Sequence, residues 1–213
     1  MSDEIMVNNQ VTVTGKIIDD FKFSHEIFGE SFYTINISVS RLSDSYDTIP
    51  VLVSDRLVDI SSGLIGKYVR AAGQFRSYNR HDRGKNHLIL SVFAREFSIS
   101  DESCKEQLNA VDLTGFICKP VIYRKTPLGR EIADLLIAVN RPYGKSDYIP
   151  CISWGRNAKF SKNLAVGEHI HISGRIQSRI YTKKTDNNES VEKVALEVSI
   201  SSLEADSAAQ GSD

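Results

Sequence analysis

Cysteine is scarce in this chain, with three residues in 213, Cys104, Cys118 and Cys151. They form no CxxC pair and leave one thiol over in any disulfide scheme, so neither a disulfide framework nor a cysteine zinc site is expected, and the thiols read as buried or incidental. His169 and His171 share a strand face, but no cysteine or second histidine pair completes a zinc set. No apolar run approaches the roughly 18 residues that cross a bilayer as a helix. The opening Met1-Ser2-Asp3-Glu4 is acidic where a secretory signal is basic and then apolar, so a cytoplasmic protein is expected. A glycine-rich phosphate loop, a GxSxG elbow, an HExxH helix and a carboxylate pair suited to acid-base work are all missing. No catalytic residue, no cofactor and no enzymatic role are therefore expected.

Net charge is also nearly absent, 26 Lys and Arg against 27 Asp and Glu, yet the average hides a segregation. From Gly66 to Arg95 there are seven basic residues and one acid, Asp82, and from Lys119 to Lys183 twelve basic residues against four acids. Acids gather at the N-terminus, around Asp101-Glu102 and beyond Asp186. A basic face with acidic edges is what a polyanion site requires, because Lys and Arg that contact phosphates release condensed counterions.

What the chain does have is a duplication. Val11-Thr12-Val13-Thr14-Gly15 returns as Val111-Asp112-Leu113-Thr114-Gly115, and Ile35 to Arg41 returns as Leu135 to Arg141, each followed by an Ile-Pro pair, Ile49-Pro50 and Ile149-Pro150. The register then slips by one, so that Gly66 to Gly73 matches Gly167 to Gly174. A repeat of about one hundred residues is a whole domain used twice, since solenoid repeats run to roughly 20–50 residues. The expected organisation is an N-terminal domain over 1–100, a linker over 101–109, a C-terminal domain over 110–204 and a disordered tail over 205–213.

Within each copy the apolar residues alternate over short runs broken by Gly, Pro, Asn or Ser, the pattern of a small antiparallel β domain. Five strands are expected per copy, near Val11–Ile18, Phe32–Arg41, Thr48–Ser54, Tyr68–Arg76 and His87–Phe93, then near Val111–Cys118, Ile132–Arg141, Tyr148–Ser153, His169–Gln177 and Val191–Ile200. One short helix is expected between the third and fourth strands of each, Asp55–Ser62 and Asn157–Leu164. This order predicts an all-β chain of two tandem five-stranded OB-fold barrels, whose strand 4 to strand 5 connections, Arg76–Asn86 and Gln177–Ser190, read as polar loops beside an oligonucleotide groove. Gly15, Gly115, Gly73 and Gly174 recur at matching strand positions and are read as packing features.

Aromatics sit among cations mainly in the second copy: Tyr123-Arg124-Lys125, Arg141-Pro142-Tyr143-Gly144-Lys145, Tyr148, Trp154-Gly155-Arg156 and Arg179-Ile180-Tyr181-Thr182-Lys183. Unpaired nucleic acid is held by bases stacked on such rings while cations follow the phosphates. Strand alternation puts Tyr148, Ile152 and Trp154 on one face.

The second copy, through Tyr148 to Ala158 and Leu164 to Arg179, with Leu113-Thr114-Gly115, Pro120, Gly129 and Ala138-Val139-Asn140-Arg141 upstream, closely resembles the bacterial single-stranded DNA-binding protein family. The resemblance implies base stacking on Tyr143, Tyr148, Trp154 and Tyr181. It also implies basic contacts from residues such as Arg124, Arg141, Arg156, Arg175 and Arg179, to which Lys125, Lys145 and Lys183 are added as flanking cations. The first copy departs from the pattern: Thr48 and Ser54 stand where the second has Tyr148 and Trp154, and Arg80 stands near the match for Tyr181. It is left with Tyr78 between Arg76 and Arg80 as DNA-binding candidates, and with Tyr33 and Tyr46 as weaker platforms. The family commonly ends in an acidic tip closing with Pro-Phe. Ala209 to Asp213 is not such a tip, so recruitment of replication enzymes by that route is not expected. Members commonly assemble four barrels, so a tandem chain implies a homodimer. Single-stranded DNA is the expected partner, in replication, recombination or repair, and no membrane is expected. A primosomal or phage-type adaptor using its barrels mainly for protein contacts, and an RNA-binding accessory module, are the alternatives.

Overall fold

Alternating β-branched and polar residues leave most strands with one face that must be buried, and burial is satisfied when the sheet curls on itself. The computed structural model describes residues 8–41, 43, 45–82, 85–100, 108–184 and 190–206, and their side chains except at 82, 85–86, 181–184 and 191–193. The first copy forms β1 (Asn9–Ile17), β2 (Lys22–Ile27), β3 (Glu30–Ser40), β4 (Tyr46–Ser54), β5 (Tyr68–Asp82) and β6 (Lys85–Ser100). The second forms β7 (Asn109–Ile117), β8 (Ile122–Lys125), β9 (Glu131–Arg141), β10 (Lys145–Trp154), α1 (Gly155–Ser161), β11 (His169–Lys184) and β12 (Ser190–Ala205).

In the first copy β1 pairs antiparallel with both β3 and β5, β3 pairs with β4, β5 with β6, and a short parallel pairing of β4 with β6 closes the circuit. The second repeats this with β7, β9, β10, β12 and β11, closed by the parallel pairing of β10 with β12. The fold is all-β and of the OB type. Inward residues are fully buried in both copies, Ile35, Ile37, Ile49, Val51 and Phe75 in one, Ile137, Val139, Ile149, Ile170 and Ile172 in the other. Each such aliphatic contributes about 1.5–3 kcal/mol relative to exposure.

The described residues divide into two compact units. One holds Val11–Ala110 with Ile176–Glu197, and the other holds Val111–Arg175 with residues 8–10 and 198–206. Each is built on one copy and includes a short piece of the other. In the first unit the Thr14 N–H donates to the Leu108 carbonyl at 2.8 Å, and in the second the Thr114 N–H donates to the Asn8 carbonyl at 2.9 Å.

The structure corrects the expected elements in four places. Only the second copy has the helix. Gly155, at φ 55°, turns the chain out of β10 into α1, which packs the fully buried Ala158 and Ser161 inward. In the first copy, by contrast, the Asp59 carboxylate accepts from the Ser61 N–H and hydroxyl, and Leu57 N–H closes a turn on the Ser54 carbonyl. Such local bonds compete with a helix ladder. Each copy also has a sixth strand, β2 or β8, both exposed except at the half-buried His25 and Tyr123 and so without the alternation that marks a strand. The expected loop Arg76–Asn86 is instead hairpin, β5 and β6 staying in register to Asp82 and Lys85. Similarly, β11 continues to Lys184 and β12 starts at Ser190. Ala205, expected in the tail, ends β12, while 101–107 of the expected linker and 207–213 of the tail lie outside the described residues.

Among the described residues no helix is long and apolar enough to cross a membrane, and no cluster of three or more His, Cys, Asp or Glu is placed to hold a metal ion. His169 and His171 each pair with a separate carboxylate, Asp206 and Asp112. Cys151 is buried and Cys118 half-buried, neither in a disulfide; Cys104 lies outside the described residues. Burial pushes the Cys118 thiol up from its ordinary range.

Candidate nucleic-acid interface

The outward face of β10 follows from its alternation. Asp147, Ile149, Cys151 and Ser153 are buried, so Tyr148, Pro150, Ile152 and Trp154 point the other way. Their register partners on β9 are Ala138, Leu136, Asp134 and Ile132, and β8 adds Ile122 opposite Asp134 and Arg124 opposite Ile132. Directly opposite residues in an antiparallel pair share a face. The result is a three-stranded surface with Tyr148 44% and Trp154 39% exposed, and Ile122 more open still. Six residues of extended strand hold the two rings roughly 20 Å apart. Trp154 is thus a surface aromatic, held at the strand end because the chain turns away at Gly155.

Exposed cations stand at both ends of β10. Lys145 opens β10 and Arg156 lies in α1, both exposed. Arg124 lies on the face, ion-paired with Asp134 at 3.0 Å. Lys125, on the other side of β8, faces Glu131 at 3.8 Å. Glu131 also accepts from the Tyr123 hydroxyl at 3.0 Å and pairs with Lys159 at 3.2 Å. Desolvation opposes its charge, but these partners hold its carboxyl below the usual range. Tyr143 sits in a 3-10 turn, Pro142–Gly144, with φ 63° and 98% of its surface open. A left-handed conformation is strained for a ring-bearing residue, and such outliers point to function.

Arg141 is placed differently. Its guanidinium is half-buried, with Nε 3.3 Å from a carboxylate oxygen of the fully buried Asp147. The same pair recurs one hundred residues earlier. Arg41 holds Asp47 through Nε at 2.9 Å and Nη2 at 2.5 Å, and Asp47 also accepts from the Ser178 N–H at 2.6 Å. Burial works against the Asp47 charge, but these donors outweigh it and lower its pKa.

The remaining candidates are distributed over both units. Arg175 is half-buried on β11 in the unit of the second copy, and the exposed Arg179 belongs to the other unit. Arg76, Tyr78 and Arg80 share one face of β5, opposite the buried Phe75 and Ser77, with Tyr78 53% exposed. Tyr181 and Lys183 have backbone in β11, but their side chains lie outside the described residues. Of the weaker platforms, Tyr46 shares the outward face of β4 with Thr48 and Ser54, whereas Tyr33 packs edge-on against Phe23, its register partner on β2. Reading the sequence missed Ile122, because neither β8 nor its register was visible in it.

A family model described as the single-strand binding protein family matches residues 108–204. A single-stranded DNA-binding protein of Oceanobacillus iheyensis is 32% identical over 113 residues, covering 50% of this chain and 70% of the relative. The chain belongs to the single-strand binding protein family. One from Halalkalibacterium halodurans is 35% identical over 104 residues, covering 46% of this chain but only 60% of the relative's own length. The crystal structure of the wild-type single-stranded DNA binding protein from Thermus aquaticus aligns over 96% of both chains, with a TM-score of 0.70 at 17% identity, a likeness of fold.

Proposed function

We propose that this chain binds single-stranded DNA with little sequence preference, stacking bases on Tyr143, Tyr148, Trp154 and Tyr181. Lys145, Arg156, Arg124, Arg175, Arg179 and the flanking lysines serve the phosphates, in replication, recombination or repair. The observation that carries this reading is the outward face of β10, where Tyr148 and Trp154 lie exposed on one surface, with the exposed Lys145 at the start of the strand and the exposed Arg156 in the helix after it. Flat rings in line suit unpaired bases, because every base has a π-face, and stacking contributes about 1–3 kcal/mol per base. Family membership and the names of the relatives support the same reading. A cytoplasmic homodimer presenting four barrels, which works by binding without catalysis, is the assembly this reading implies.

The test is a titration of the full chain with oligo-dT, following the emission of Trp154, the only tryptophan. Emission should be quenched, affinity should fall as salt rises, and a mass measurement in solution should give twice the chain mass. Unchanged emission together with salt-independent binding would refute the DNA reading, and a monomer mass would refute the dimer.

A further inference from the structure

The first copy lacks the aromatics of the second at two matched positions, Thr48 for Tyr148 and Ser54 for Trp154. Strand register shows what occupies those places. Ser54 lies opposite Phe32 on β3, as Trp154 lies opposite Ile132 on β9. On the other flank of β4, Leu52 pairs with Phe93 of β6, where in the second copy Ile152 pairs with Ser199. The two phenylalanines therefore flank β4 from its neighbouring strands, and their ring centroids are 5.9 Å apart. Ser54 beneath them is 3% exposed. The stack continues at both ends. His25, the register partner of Phe32 on β2, lies parallel to it at 5.0 Å and 13°. The Arg76 guanidinium sits over Phe93 at 4.3 Å from its centroid. All four residues belong to one compact unit; Phe32 is buried, at 9% exposure, and backs the stack, while His25, Phe93 and Arg76 are half-buried and keep surface open to solvent.

We infer that the first barrel carries its own platform for an unpaired base, formed by His25, Phe32, Phe93 and Arg76 across four strands in place of the ring missing at Ser54. Ring spacings of 4.5–7 Å and a cation within 6 Å of a ring are favourable π contacts. A ladder of flat surfaces ending in an imidazole and a guanidinium offers a base the same chemistry as a lone indole. The platform lies on the face that carries Trp154 in the other copy, since Phe32, Ser54, Leu52 and Phe93 all point away from the core lined by Ile35, Val51 and Val92. Tyr46, 64% exposed and two residues along the same face from Thr48, adds a second ring at the far end of β4.

This inference rests on the proposed binding of single-stranded DNA, and the test separates the two. In the full chain carrying His25→Trp and Trp154→Phe, the sole tryptophan reports on the first barrel. Its emission should be quenched by oligo-dT. No response at a concentration that saturates Trp154 quenching in the parent chain overturns the platform and leaves the proposed function intact. If Trp154 in the parent is not quenched either, the proposed function fails and the platform with it. A second measurement needs no substitution: photo-cross-linking of the parent chain to bromouracil-substituted oligo-dT, with the adducts mapped by mass spectrometry. Adducts on His25 or Phe93 support the platform, and adducts confined to the second copy overturn it.

Discussion

Asp47→Asn isolates an interaction that occurs in both copies. The carboxylate is fully buried and takes two bonds from Arg41, at 2.9 and 2.5 Å, and two from Ser178, through its N–H at 2.6 Å and its hydroxyl at 3.1 Å. Asparagine keeps the volume but turns one oxygen into an amide that meets donors, and it leaves the Arg41 guanidinium without its countercharge. Breaking a buried pair from one side costs about 3–5 kcal/mol. Arg41 is 24% exposed and recovers some hydration, so the lower end, about 3 kcal/mol, applies. At about 2–8 °C per kcal/mol for domains of this size range, the melting of the first-copy unit should fall by at least roughly 6 °C at neutral pH. The pH dependence has a definite sign. The folded-state pKa of Asp47 is lowered, so its stabilisation is complete above the unfolded value of about 3.9 and is lost as pH falls through the lower folded value. Differential scanning calorimetry of parent and variant from pH 7 downward should therefore show a gap that closes below about pH 4. A gap absent at pH 7, or one that widens on acidification, would refute the assignment of Asp47 as a charge-paired anchor.

Three further outcomes are expected. Alanine at Gly73 or Gly174 would place a Cβ 2.0 Å from the Phe93 carbonyl oxygen or 2.3 Å from that of Ser199. Backbone cannot give way cheaply there, so chemical denaturation should show a loss of about 1–3 kcal/mol or more, with oligo-dT affinity unchanged wherever the variant is folded. Tyr143→Gly removes a left-handed non-glycine residue whose conformation costs about 1–2 kcal/mol. Its melting temperature should be equal or slightly higher while oligo-dT affinity falls, and a clear loss of stability would show the ring to be a packing element. Lys145→Ala with Arg156→Ala should lower the slope of log affinity against log salt by about 0.7 for each phosphate contact removed, and an unchanged slope would place both cations outside the DNA path.

The five-stranded skeleton was legible in the sequence because residues such as Ile35, Ile37 and Val39 must face inward in turn, and the duplication repeats that constraint at Leu135, Ile137 and Val139. The exposure of Trp154 was legible from Gly155 behind it, which ends the strand. Elements that bury neither face left no trace. β2 and β8 carry no periodic signal, and the far half of the β5–β6 hairpin, with Tyr78, Asn79 and Arg80 all exposed, reads as loop until its partner strand is known. The turn Asp55–Ser62 was expected to be helical like Asn157–Leu164, and Asp59 decided otherwise through side-chain bonds to a residue only two positions away. Arg141 read as one more surface cation. Its partner Asp147 is six residues away in sequence and comes within 3.3 Å only after β9 and β10 pair, on the diagonal from Arg141.

The two copies divide what the barrel requires from what its surface is free to change. Thr14 and Thr114 make equivalent backbone bonds, Gly15 and Gly115 each lie where a Cβ would meet a carbonyl oxygen at 2.4 or 2.5 Å, and Arg41–Asp47 recurs as Arg141–Asp147. All of these act inside the barrel wall, where a changed residue would cost stability whatever the chain binds. The residues that differ, Thr48 against Tyr148, Ser54 against Trp154, Phe32 against Ile132 and Phe93 against Ser199, all lie on the outward face. There a ring can be lost from one strand and regained on its neighbour, because adjacent strands lie only about 4.8 Å apart and a phenyl side chain reaches across that gap. A platform for a base is thus a property of the face as a whole, and comparing aligned positions one at a time makes the first copy look emptier than its surface is.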